Sequence, residues 1–431
     1  MARFIARRID LLVLTMLIVS VVVFAITEIA PGNIARNTLG VFITREQEVS
    51  FNAQLGLYQP LYIRYISWLA GSDWRARYFV GLPLVRLPES AGAQWWAREP
   101  DGGLIRWRVE GEDLIAVRRQ PDGAKVESLD NERWKVDADG QEYFWGVDTG
   151  NHAAKWVRGS ELQTWTLTVA TWTSIRGAPS EYIPLQTGIL RGDPGKSTLT
   201  GRPVGETLFR RLRNSLLLAG IAFVVIMPLA LVLGLVAGLN AGKPLDRGLS
   251  VAGLITTVTP EFCTGIFLIL IFASWLKLVP GATVFLSDTA IFDNPKQLVL
   301  PVATLTLIEV GYVLRITRAS MVDVMRTAYI RTAILKGLPR WRVVFTHAVR
   351  NALLAPITVI MLHVNWLLGG IVVVEAIFGY PGLGGYLLNS ALYKDVFAIE
   401  AGAMVLVLLA VGTQLVADVI YTFLNPRIRY A

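Results

Sequence analysis

The sequence predicts an all-α membrane bundle of six transmembrane helices with both termini cytoplasmic, carrying an inserted extracytoplasmic β-rich domain. Three observations predict it. Of the 431 residues, 53% are hydrophobic, and the mean hydropathy of +0.48 lies outside the range of soluble chains. Six apolar stretches reach the roughly 20 residues that span a bilayer. A polar, tryptophan-rich stretch separates the first of them from the second.

The chain opens with "MARFIARRIDLLVLTMLIVSVVVFAITEIAPG", a basic start followed by an apolar run from Ile9 to Ile29. That run exceeds the roughly 7 to 15 residues of a signal-peptide core, and no small-residue cleavage pattern closes it. Residues 1–30 therefore read as a retained first span that enters from the cytoplasm behind Arg3, Arg7 and Arg8. Five further runs follow at 214–239, 251–278, 298–316, 352–374 and 399–424, which make 214–431 a five-helix core. Lysine and arginine set the topology. The loop "NAGKPLDRG", the segment 315–350 and the tail "NPRIRY" are basic and fall inside, whereas the alternate loops near 279–297 and 375–398 hold only Lys296 and Lys394. The cluster Arg210, Arg211 and Arg213 lands outside, an exception that a long translocated region tolerates.

Residues 31–213 form the extracytoplasmic region, and 72–189 within it are not membrane-like. There "IRWRVEGEDLIAVRRQPDGAKVESLDNERWKVDADGQEYFWGV" alternates apolar and polar residues in short runs broken at Pro121-Asp122-Gly123 and Asp139-Gly140, the pattern of hairpins of half-buried strands. Nine of the thirteen tryptophans fall in this insertion, enough to supply a small core or an aromatic docking surface.

Several function classes are excluded by composition. The insertion carries 17 acidic and 14 basic side chains, so the rest of the chain holds +11 of the net +8. A basic excess confined to the membrane part reads as topology and not as nucleic-acid binding, which wants a basic face on a soluble module. One cysteine and three scattered histidines offer neither a disulfide framework nor a metal site. The 72–189 domain shows no nucleophile–base pairing or metal spacing, and no cofactor is expected. The stretch "RGDPGKST" imitates a phosphate-binding loop, but G-x-x-x-x-G-K-[ST] needs a glycine at position 190, which is Leu190. Gly201 and Pro203 also deny it the helix that such a loop must launch. ATP, if it is used, is hydrolysed by another chain.

The most informative segment is "RITRASMVDVMRTAYIRTAILKGLPRWRVVFTHAVRNALLAPIT", too polar to span yet flanked by spans. Val322 to Lys336 is continuous helix-forming sequence, Gly337 stands where a helix-stop glycine belongs, and Pro339 follows. A second helix from Arg340 runs into the fifth span. The expectation is a sharp helical corner, within a structured cytoplasmic loop 317–350.

These residues closely resemble the oligopeptide/dipeptide branch of ABC importer permeases, the binding-protein-dependent transport system inner-membrane components. The resemblance is carried by "YIRTAILKGLPRWRVVFTHAVRNALLAP", "RITRASM", "VVVEAIFGYPGLGGYL" and "VADVIYTFLNPRIR", and earlier by "LGLYQPLYIRYISWLAG" and "RGDPGKS". It covers residues 1–71 and 190–431. The insertion departs from it. So does the start of the Glu-Ala-Ala-x-x-x-Gly coupling pattern, here Arg331-Thr332-Ala333 before Gly337 and Leu338, although arginine is usual in the peptide branch.

What the resemblance implies is a non-catalytic subunit of the bacterial inner membrane. It would pair with a second permease as a heterodimer, sit on two ATP-binding subunits that dock at the corner, and receive peptides from an extracytoplasmic solute-binding protein. Polar groups inside spans are expensive in hydrocarbon. Glu309, His363 and Asn365 could therefore line a translocation path for a zwitterionic or cationic peptide, or else join helices by hydrogen bonds. The resemblance suggests an outer gate at Glu375. Two other readings compete: an ion-coupled secondary transporter, for which inverted repeats are expected and none is seen, and a membrane-anchored receptor working through 72–189.

Overall fold

The computed structural model describes residues 2–29, 34–40, 42–74, 83–88, 94–110, 113–120 and 123–129, six strands between 133 and 184, and residues 186–284 and 294–424. The side chains of 130–185, 361–370 and 418–424 lie outside that description. The chain is mostly helical and divides into two compact units. One comprises 1–23, 206–392 and 402–431, the other 24–205 and 393–401.

In the second unit, the end of α1 (Ala2–Ile29) is followed by three short helices, α2 (Ile34–Leu39), α3 (Arg45–Gln54) and α4 (Leu61–Ala70). Two antiparallel meanders come next. Strands β1 (Leu84–Leu87), β2 (Gln94–Arg98), β3 (Leu104–Glu110), β4 (Asp113–Arg119) and β5 (Lys125–Leu129) form a five-stranded sheet in sequence order. A six-stranded sheet runs from β6 (Arg133–Val136) through β7 (Glu142–Val147), β8 (Ala153–Val157), β9 (Leu162–Leu167) and β10 (Thr171–Arg176) to β11 (Ser180–Pro184). Trp96, Ala97, Ile105 and Ala116 are buried in the first sheet, and the Trp96 ring lies beneath Arg106 and Lys125, 5.6 and 5.9 Å from its centroid. The turn expected at Pro121-Asp122-Gly123 has Gly123 at φ +90°, while Pro121, Asp122 and the turn at Asp139-Gly140 lie outside the described residues.

The two ends of the insertion are fastened to each other. Ser72 donates its N–H to the Gln186 carbonyl at 2.9 Å, and its hydroxyl oxygen accepts the Gln186 N–H at 2.9 Å. Arg191 grips the carboxylate of Asp73 and the carbonyl of Ala70. Asp193 receives both Arg86 of β1 and the Thr187 hydroxyl. A Cβ at Gly71 or Gly188 would strike the opposite backbone, so both glycines allow the close approach.

The other unit is a helical bundle. It contains α5 (Val204–Leu239, but for its first two residues), α6 (Pro244–Val258), α7 (Glu261–Leu268, continued as a π-helix to Trp275), α8 (Val299–Met325), α9 (Ala328–Leu335), α10 (Arg340–Ala352), α11 (Leu354–Phe378), α12 (Leu383–Tyr393) and most of α13 (Val396–Leu424). Leu218, Ala222, Ile226 and Ala230 recur every fourth residue on α5 and join Leu305, Val313 and Leu314 of α8 with Ile371, Val374 and Phe378 of α11 in one buried cluster. Small residues allow close crossings. A Cβ on Gly234 or Gly238 of α5 would run into Thr317 or Met321 of α8, and Gly253 of α6 faces Gly311 of α8.

Among the described residues, four helices are each long and apolar enough to cross a membrane: residues 7–29 of α1, then α5, Pro295–Met325 and Val396–Ala417. Three bent helix pairs pass the same test only when joined. Two expectations need correction. The third run, 251–278, is not one rod, because α6 and α7 meet at 106°. Pro260 has no N–H to give the helix ladder and pushes Thr259 into an extended conformation (φ −70°, ψ 126°). Nor is Val322–Lys336 one helix. It breaks between Met325 and Ala328, where Thr327 is extended (φ −70°, ψ 151°) and turns its hydroxyl back to the Val324 carbonyl. Helix α5 also begins at Val204, so Arg210, Arg211 and Arg213 are helical and not in a loop. Apolarity marks only the stretch that meets lipid, whereas backbone hydrogen bonding carries the helix further. The tail from 425 lies outside the described residues.

Candidate functional site

The corner at Gly337 is built as the sequence requires. Gly337 stands at φ +74°, the left-handed region that a side chain disfavours. Its N–H donates to the Ile334 carbonyl at 2.9 Å and the Leu338 N–H to the Ala333 carbonyl at 3.4 Å, the paired bonds that close a helix C-terminus. Pro339 then launches α10. Beneath the turn, Met321, Ile330, Ala333, Val343, Val344, Ala348 and Ala352 form a small core against which Leu338 packs. Above it, Arg331 and Thr332 are exposed, and nothing lies within 4 Å of where a Gly337 Cβ would stand. Ile334, Leu335, Trp341 and Phe345 are also exposed, Leu335 to 80%. At the base of this region Arg318 of α8 forks onto Asp246, which is buried in the first turn of α6, with one N–H···O contact of 2.7 Å. Asp246 also accepts the Gly242 N–H at 2.8 Å.

A second corner, between α11 and α12, is of opposite character. Gly379 ends α11 at φ +64°. Glu375, 1% exposed, uses its carboxylate to accept the Ser215 hydroxyl and the N–H groups of Gly384 (2.7 Å) and Gly385 (3.1 Å). Ser215 in turn accepts the Leu383 N–H at 2.7 Å. The otherwise unpartnered donors of the first turn of α12 are thus satisfied by side chains from α11 and α5. The Tyr380 hydroxyl donates to the Asn214 carbonyl at 2.8 Å and the Asn214 amide to the Pro381 carbonyl at 2.9 Å. Gly382 and Gly384 are obligatory by proximity, since a Cβ would enter the Glu375 carboxylate or the Val372 backbone.

Glu309 sits on α8 and is 2% exposed. Glu261 stands in the first turn of α7, a helix that packs against α8. His363 and Asn365 belong to α11, but their side chains lie outside the described residues. Sequence reasoning missed Glu261, Ser215 and the Asp246–Arg318 pair. An acid inside "TVTPEFCTG" was open to the same argument as Glu309. The partners of Ser215 and Asp246 lie 160 and 72 residues away, and no local pattern announces them.

The imitation phosphate loop has its donors occupied by protein. Ser197 Oγ and the Thr198 N–H both donate to Asp395, the latter at 3.1 Å, and the Gly195 N–H donates to Asp193 at 3.1 Å. Among the described residues no group of histidine, cysteine, aspartate and glutamate side chains could hold a metal.

Residues 230–430 match the family described as binding-protein-dependent transport system inner membrane component, and residues 1–81 match its N-terminal region. A peptide transport system permease protein of Brucella abortus (strain 2308) is 34% identical over 242 residues, 55% of this chain and 76% of that one. The oligopeptide transport system permease protein AppB of Bacillus subtilis (strain 168) is 34% identical over 253 residues, and the dipeptide transport system permease protein DppB of Escherichia coli (strain K12) 32% over 273. Each of these two matches covers 58% of this chain and 80% of the relative. With the open corner at Gly337, the fastened corner at Glu375 and these likenesses in hand, the chain belongs to the binding-protein-dependent inner-membrane permeases, of the oligopeptide/dipeptide ABC type.

Proposed function

We propose that the chain is one half of the membrane pathway of a peptide importer. It pairs with a second, different permease, docks two ATP-binding subunits at the Gly337 corner and accepts peptides from an extracytoplasmic binding protein. The reading places six spans in the membrane, with α6 and α7 together forming the third, and puts 72–189 outside.

The observation that carries the proposal is the mismatch at the corner between internal completion and external apolarity. Its backbone hydrogen bonds are closed and its underside is packed, yet Ile334, Leu335, Trp341 and Phe345 face outward. They are interleaved with Arg331, Lys336, Arg340 and Arg342, so hydrocarbon does not suit them. A protein groove does, as exposed apolar groups rimmed by charge mark interaction sites. Force from ATP hydrolysis on a partner would pass through α9 and α10 into α8 and α11, the helices that α9 and α10 continue.

On this reading Glu309, with Glu261, draws the positive end of a peptide along the path, and His363 and Asn365 follow on α11. Glu375 holds the outer end of α11 against α12, so that a gate there moves as one piece.

The experiment is Gly337→Asp in the reconstituted complex. The space above Gly337 is open, so the substitution costs the fold only the backbone strain of a side chain at positive φ, about 1 kcal/mol, while adding an unpaired carboxylate to a docked contact. Expected are normal insertion and pairing with the second permease, with loss of the ATPase subunits from a pulldown and of substrate-stimulated hydrolysis. Wild-type coupling in this variant would remove the corner from the mechanism.

A further inference from the structure

Helix α4 has its polarity inside out. Its single charged residue, Arg64, points inward and pairs with Glu28 of α1; the two side chains are 13% and 9% exposed. Trp68 and Ser67 are buried beside it. Tyr65 and Trp68 pack on Phe24 of α1, with ring centroids 5.3 and 6.0 Å away. The outward residues of α4 are Leu61, Tyr62, Ile66 and Ala70, and Tyr58 and Trp74, outside the helix on either side, are also exposed. Tyr62 is 66% exposed. Positions 62, 66 and 70 recur every fourth residue along the helix, which makes one stripe without a charge, and the exposed Tyr58 and Trp74 lie just beyond the two ends, where Pro60 and Gly71 are not helical.

Water does not suit that stripe. In a soluble helix the charged residue faces solvent and the apolar face is covered. Here the charge is neutralised beneath and the apolar face is presented outward, the arrangement expected when the surroundings are themselves apolar. The fastening fixes the depth. Phe24 and Glu28 lie in the last turns of α1, whose residues 7–29 are apolar enough to cross a membrane. A helix clamped to those turns sits where the span leaves hydrocarbon. Tyrosine and tryptophan are enriched at that level because an apolar ring and a polar tip suit the two sides of the boundary.

We propose that α4 is an interfacial helix. Its Tyr62–Ile66–Ala70 stripe lies in the headgroup–acyl boundary of the bilayer, and the Glu28–Arg64 pair with the Phe24–Tyr65–Trp68 cluster locks α1 to that plane. The occupant of the face is lipid, not a second protein.

The test places an environment-sensitive fluorophore on a cysteine at Tyr62 or Ile66, with Cys263→Ser as background and Leu199→Cys, on an exposed loop, as the aqueous control. The full complex is reconstituted in phosphatidylglycerol–phosphatidylethanolamine vesicles. Expected at 62 and 66 are blue-shifted emission, strong quenching by nitroxides attached near the headgroup, weaker quenching by nitroxides deep in the acyl chain, and little by aqueous iodide. The control shows the reverse. Iodide quenching at 62 equal to that at 199 overturns the proposal in favour of solvent exposure. Protection from all three quenchers overturns it in favour of a protein partner. Because both positions are on the outer face, labelling leaves the clamp to α1 untouched. Arg64→Ala in the same background should shift the label at 62 toward the aqueous control, as α4 loses its fastening. No change in that variant overturns the part assigned to the ion pair.

Discussion

The two glycine corners of this permease share one local chemistry and differ in everything around it. Gly337 and Gly379 both end a helix in the left-handed region, at φ +74° and +64°. At Gly379 the chain supplies its own completion: Glu375, Ser215 and Asn214 take up the donors and carbonyls of the turn, and the carboxylate is buried. At Gly337 the turn closes on itself and then offers Leu335 and Trp341 to the outside. A corner finished from within is a joint of the bundle. On the proposed reading, a corner left apolar on its outer side receives another chain. The identity of the stop signal says nothing about which one results; the neighbours decide.

The comparison can be broken most directly at the finished corner. Glu375→Ala strands three donors, the buried Ser215 Oγ and Gly384 N–H and the half-buried Gly385 N–H, each buried one worth roughly 1–3 kcal/mol when left unpaired. Thermal unfolding in detergent should register a loss of a few kcal/mol, with Glu375→Gln losing less. Unchanged stability in the alanine variant would mean the corner is held by packing alone. At the open corner, Gly337→Ala should cost only about 1 kcal/mol in the same assay, while its effect on coupling stays intermediate between wild type and Gly337→Asp. The contrast is thus stability at 375 against partner binding at 337.

A third, smaller effect asks whether a buried carboxylate is always a fastener. If Glu309 attracts the substrate's charge, Glu309→Gln should lower uptake of cationic peptides more than of neutral ones and leave the unfolding temperature nearly unchanged. Equal losses for both substrates would put Glu309 with Glu375 as a structural group. The smallest effect is expected in the insertion. Replacing residues 75–184 by a short linker should leave the helical unit's unfolding transition where it was, because Ser72 and Gln186 already meet. Failure of that chain to insert would show that the sheets support the helices.

Much of this architecture was legible where the physics is local. A glycine after a helix and a proline two residues later demanded a positive φ at 337, and alternation in 105–147 called for strands. Breaks inside apolar or helix-forming runs were not legible. Pro260 was visible, but the surrounding apolarity argued for a continuous span. Thr327 gave no warning, since threonine is tolerated in helices and terminates one only when its hydroxyl turns back on the ladder. The fastening of Glu375 was out of reach, because it depends on residues of α5 brought near by the fold.

The staple at Ser72 and Gln186 also governs how such a chain can change over time. Where two strands of a connection are already zipped together, what lies beyond the zip adds little to the cost of closing the host's loop, and here Arg86 of β1 ties the first sheet to Asp193 beside the zip as well. Even without the zip, closing a loop twice as long costs only about 0.6 kcal/mol more. If the shortened chain inserts as expected, the junction is a graft site: it can receive, exchange or shed a whole folded passenger in a single genetic event without retuning of the membrane bundle. An engineer could seat a reporter or an affinity module between residues 74 and 186 by the same rule, provided that Gly71, Gly188 and the Arg191–Asp73 clasp are left in place.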